Sequence, residues 1–64
     1  MDEILEEMID RKSLWEVLEA LHEICYAKAE HLRANWQDTE AAREWERAGE
    51  ACDKACAKAS TLGL

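Results

Sequence analysis

The sequence predicts an all-α protein: an antiparallel helical hairpin preceded by a short N-terminal helix, assembling with a second copy into a dimeric four-helix core. Three observations predict it. The 64 residues contain no Pro and only two Gly, so long helices meet few breakers. Apolar residues recur at steps of three and four through two long stretches. A single polar cluster running from Asn35 to Thr39 separates those stretches and carries turn and cap chemistry.

The first element is a short helix over about residues 2–12. Asp2 suits its start, and Ile4, Leu5, Met8 and Ile9 form one apolar edge. Arg11 and Lys12 complement the negative end of its dipole. Ser13 followed by Glu16 is a capping-box pattern, so a second helix is expected over about residues 14–34; one helix running through Ser13 is the alternative. Leu14, Val17, Leu18, Leu21, Ile24, Cys25, Ala29 and Leu32 give it the strongest helical period of the chain.

A turn is expected over about residues 35–39, where Asn35, Asp38 and Thr39 can each accept from backbone amides at a helix start. The third helix follows over about residues 39–59. Ala41, Ala42, Trp45, Ala48, Gly49, Cys52, Ala55, Cys56 and Ala59 lie on one side of it, and Glu50 with Lys54 is a favourable pair four apart. Thr61, Leu62, Gly63 and Leu64 are expected to fray.

Volume matching sets the hairpin register. If paired residues have numbers that sum to about 74, Trp15 meets Ala59, Leu18 meets Cys56 and His22 meets Cys52. Cys25 then meets Gly49, Ala29 meets Trp45 and Leu32 meets Ala42. Large faces small almost throughout, which lets two helices interdigitate at close range. On this reading Ala48 and Ala55 belong to the tightly packed seam, Trp45 fills the gap opposite Ala29, and Trp36 plugs the end of the bundle. The row Leu14, Val17, Leu21, Ile24 is left over and is assigned to self-association, because an uncovered apolar row marks an interaction surface.

Composition narrows the function classes. With 15 acidic and 8 basic residues the net charge is −7, which disfavours direct binding to nucleic-acid phosphates or anionic lipid and suits a basic protein partner. No apolar run approaches the roughly 20 residues needed to cross a bilayer. Three cysteines, an odd number, with no secretory leader pattern at the start, point to thiols in a reducing cytoplasm.

Four residues could carry chemistry together. His22 and Cys25 lie three apart on one helix, and Cys52 and Cys56 four apart on the facing one; one histidine with three thiolates is an accepted tetrahedral zinc set. Cysteine is also a small buried hydrophobe, and a seam of Ala, Gly and Cys selects for size, so the expectation is no metal and no cofactor, with zinc or a Cys25–Cys52 redox bridge as the alternative. Glu19 and His22 match the Glu-x-x-His spacing of di-iron bundles, but the inward row of the third helix lacks the matching carboxylates. No nucleophile has a base and an orienting group beside it, so no enzyme activity is expected. If Trp36 is exposed instead of plugging the bundle end, it forms with His31 and Arg33 near the turn the candidate partner-docking tip. The reading is a cytoplasmic, homodimeric protein-protein interaction or regulatory module.

Overall fold

The computed structural model describes residues 2–64. These residues are helical with no strand: α1 is Asp2–Arg11, α2 is Leu14–His31, a π-helical turn spans Leu32–Trp36, and α3 is Thr39–Leu62. α2 and α3 form an antiparallel hairpin, and α1 joins it through Lys12 and Ser13.

Local chemistry explains each boundary. Asp2, expected as the cap of α1, is instead its first helical residue. Ser13 is extended (φ −179°, ψ 163°) and its side-chain oxygen accepts from the Glu16 amide at 3.2 Å. That conformation excludes one continuous helix, since no helical hydrogen-bond ladder passes through an extended residue.

α2 ends three residues short of the expected 34. Beyond His31 the ladder widens, and the amides of Gln37 and Asp38 both return to the Leu32 carbonyl. Gln37 takes the left-handed conformation (φ 52°) that turns the chain. Of the three polar turn residues expected to cap α3, Asp38 does so, its Oδ1 accepting from the Ala41 amide at 3.0 Å. Asn35 faces backward instead: its Nδ2 donates to the His31 carbonyl at 3.2 Å and to His31 Nδ1 at 2.9 Å.

The C-terminus also departs from expectation. α3 runs to Leu62 rather than about residue 59 and closes in a Schellman motif. Gly63 is left-handed (φ 78°) and donates to Ser60 at 3.1 Å, while the Leu64 amide reaches the Ala59 carbonyl at 2.9 Å. The Leu64 carbonyl then accepts from the Leu14 amide. One of the free N–H groups of α2 is thereby satisfied by the other end of the chain.

Between α2 and α3 the approach is close. The His22 ring donates from Nδ1 to the Gly49 carbonyl at 3.2 Å, and Cys56 Sγ donates to the Trp15 carbonyl at 3.1 Å. A Cβ at Gly49 would lie 3.3 Å from Cys25 Cβ. Lys28 Nζ sits 5.4 Å from the Trp45 ring centre, a cation-π distance. Paired residues in these contacts have numbers summing to the low or middle seventies.

The core is thin. Val17, Cys25, Ala29, Ala42 and Ala59 are its buried apolar residues, joined by Gly49. No large side chain is fully enclosed. The Cα trace spans 38 × 25 × 13 Å, and α1 buries none of its residues.

Three expectations about this seam are corrected. Ala48 and Ala55 are exposed; the seam runs through Ala42, Glu46, Gly49, Cys56 and Ala59, and the two alanines lie on an adjoining row. Trp45 is 36% exposed at the hairpin's edge, so it does not fill a gap inside. Trp36 is 71% exposed: the widened π turn swings it outward, and nothing is plugged.

Candidate interaction surface

Each feature of the surface follows from one excess: α3 has more apolar width than one seam consumes. Its row Ala41, Trp45, Ala48, Cys52, Ala55, Ala59 is apolar at every step of three or four. α2 supplies a matching row, Leu14, Val17, Leu21, Ile24. The hairpin's own packing covers part of each. Val17 is 6% exposed and Leu14 half-buried, so this end of the α2 row belongs to the intramolecular core. Leu21 and Ile24 remain 41% and 50% exposed.

The uncovered part forms a groove of about 420 Å³ lined by Ile24, Ala27, Lys28, His31, Leu32 and Trp45. Its walls are apolar and its polar side chains are Lys28, which lies over the Trp45 ring, and His31, which accepts from Asn35. Ala27, Lys28 and Trp45 were not singled out in the sequence as surface-forming. The signal was present in the unbroken apolar row of α3, which reads equally well as core.

α1 presents a second apolar edge. No residue of α1 is buried. Exposure rises along the edge from Ile9 (37%) through Met8 and Leu5 to Ile4 (64%). The helix therefore leaves the hairpin progressively with distance from its hinge at Lys12 and Ser13. Its opposite side is acidic, with Glu3, Glu6, Glu7 and Asp10, and Arg11 is occupied by Glu7 at 2.6 Å.

The proposed docking tip does not gather into one patch. Trp36 projects freely, His31 lines the groove and is bonded by Asn35, and Arg33 crosses the hairpin to pair with Glu46. All three are exposed, but His31 and Arg33 are each held by a side-chain bond.

The cysteine-histidine set is likewise divided. His22 is held by the Gly49 carbonyl and edge-on against Tyr26, with ring centres 4.7 Å apart, while Cys56 faces the Trp15 carbonyl about a turn away. Among the described residues no three His, Cys, Asp or Glu side chains converge as a metal site would require. All three cysteines are free thiols. Desolvation raises the pKa of Cys52, reinforced by its neighbour Cys25, and desolvation with Glu19 and Asp53 raises that of Cys56. Both therefore stay protonated at neutral pH, the less nucleophilic and less ligating form. Tyr26 is raised in the same way, by desolvation first and then by Glu50, Asp53 and Glu46.

No helix among the described residues is long and apolar enough to cross a membrane. Comparison of the chain with known protein families, with curated proteins and with solved structures found no match in any of the three.

Proposed function

We propose that this chain is a small acidic interaction or regulatory module that acts by binding a macromolecular partner, and that it works as a homodimer with a four-helix core. One observation carries the reading: Ile4, Leu5, Met8, Ile9, Leu21, Ile24, Trp36 and Trp45 are exposed, while the buried residues are the smaller Val17, Cys25, Ala29, Ala42, Gly49 and Ala59. A stable domain packs its apolar faces against one another around a core, and this chain leaves those of α1, Leu21, Ile24 and Trp45 uncovered. The α1 edge together with Leu21, Ile24 and Trp45 offers on the order of 700 Å² of open apolar surface per chain, close to the roughly 800 Å² per partner of a standard interface.

A second copy covers that surface, and Trp36 at the turn remains outside that contact for a different partner. An exposed Trp is a frequent hot-spot residue, and a net charge of −7 favours a basic protein surface over phosphate. The thiol-histidine alternative gains no support from the divided geometry of His22, Cys25, Cys52 and Cys56.

A photo-reactive amino acid at position 36 tests the partner half of the proposal. It should yield one discrete adduct in native extract beyond the self-adduct, and the same group at the exposed Asp53 should yield none. A self-adduct alone from position 36 would remove the turn from the binding surface.

A further inference from the structure

We propose that the groove lined by Ile24, Ala27, Lys28, His31, Leu32 and Trp45 is the seat of α1 from a second copy of this chain, so that two chains exchange N-terminal helices. The inference rests on the homodimer reading and specifies how the dimer is built.

Three observations identify the occupant. The first is shape: α1 carries Ile4, Leu5, Met8 and Ile9 on one edge and buries none of its residues. A short amphipathic helix with apolar residues at i and i+4 is what a hydrophobic groove between helices accepts. The second is area. The α1 edge together with Leu21, Ile24 and Trp45 leaves on the order of 700 Å² of apolar surface open per chain, close to the roughly 800 Å² per partner of a standard interface.

The third observation is reach. α1 has 10 residues and is about 15 Å long. It is tied by Lys12 and Ser13 to the start of α2, whereas the groove centres on Lys28, about 20 Å further along. Folded fully back, α1 would end near the level of Ile24 and bring its apolar edge over the lower half of α2. It cannot fill the groove of its own chain. The identical helix of a second chain, entering from the opposite direction, can, and the two-fold relation then gives each chain's groove the other's α1.

Full-length variants with exposed substitutions test this. Met8→Glu damages the helix that is given and leaves the groove intact; Ile24→Glu does the reverse. Both positions are at least 40% exposed within the chain, and helicity is checked by far-UV circular dichroism. Ile4→Glu, at 64% exposure, provides a second α1 variant should Met8→Glu lose helix. Dimer dissociation constants are measured by sedimentation equilibrium for the wild type, each variant, and an equimolar mixture of Met8→Glu with Ile24→Glu. The expected result is at least a tenfold weaker dimer for each variant alone and recovery of association in the mixture. Recovery follows because one of the two helix-groove contacts in the mixed dimer is wild type on both sides.

A wild-type dimer that Met8→Glu and Ile4→Glu leave untouched would overturn the exchange while the homodimer reading stands. Weakening without recovery on mixing would also overturn it, placing α1 against its own chain. A wild-type monomer would overturn both.

Discussion

Replacing Gly49 with Ala sets two known effects against each other at one atom. The new Cβ would lie 3.1 and 3.2 Å from Cε2 and Cζ of Tyr26 and 3.3 Å from Cys25 Cβ, inside the roughly 3.5–4.0 Å at which carbon atoms attract. In favour of the substitution, Ala in a helix interior is about 0.5–1 kcal/mol better than Gly. Against it stand both neighbours. The Tyr26 ring can retreat a few tenths of an ångström, but His22 meets it edge-on at 4.7 Å. Cys25 Cβ is fixed to the α2 backbone and yields only if the helix moves. Overpacking of this kind costs about 1–3 kcal/mol, so the net expectation is a loss of about 1 kcal/mol, or roughly 4–8 °C in Tm for so small a domain. Thermal unfolding followed by far-UV circular dichroism, at matched protein concentration because association raises Tm, reads the difference. Ala51→Gly, at an exposed position of the same helix, calibrates the propensity term alone. A Gly49→Ala protein that melts higher than wild type by the full propensity gain would show that the helices stand apart at this level, refuting the register.

Two further outcomes follow from local chemistry. Ser13→Ala removes the acceptor of the Glu16 amide and should cost about 1 kcal/mol, read as a lower urea midpoint with unchanged slope. Stability should also fall in alkali. Tyr26, Cys52 and Cys56 have raised pKa values in the folded chain, so the native state keeps protons that the unfolded state has released. The contribution is complete below the ordinary values of 9.0 for the thiols and 10.0 for the phenol and is lost as pH rises through the folded values. A urea midpoint equal at pH 7 and pH 10.5 would contradict it.

The parts of the fold set by short-range chemistry were legible in the sequence. Ser13 and Asp38 name their own acceptor roles, and the alternation of large and small residues brings Cys25 to Gly49 without any structure. The rest failed where a sequence offers two equivalent answers. α3 is apolar across both the Ala42, Gly49, Cys56 row and the Trp45, Ala48, Ala55 row, and periodicity alone cannot say which row the same chain covers. The expected register therefore puts Ala48 and Ala55 in the seam, whereas both are exposed on the adjoining row. For Trp36 the sequence allows both a plug at the bundle end, since a large apolar residue beside a turn ordinarily caps a bundle, and an exposed docking residue; it is 71% exposed. The π turn that redirects it depends on where the Gln37 and Asp38 amides find their acceptor, which no residue pattern announces. Gly63 and Leu64 were read as a loose end because a C-terminal glycine looks the same whether it frays or closes a helix. The groove went unseen for the same reason as the alanines, since its α3 wall reads as core.

The chain leaves the apolar edge of α1 and Leu21, Ile24 and Trp45 outside, and on the proposed reading it is half of a molecule. Sedimentation equilibrium of the wild-type chain at about 10–100 μM, where a specific interface of standard size is occupied, measures this most directly. The account predicts a single species of twice the 7.3 kDa chain mass, and a mass of 7.3 kDa throughout that range would contradict it.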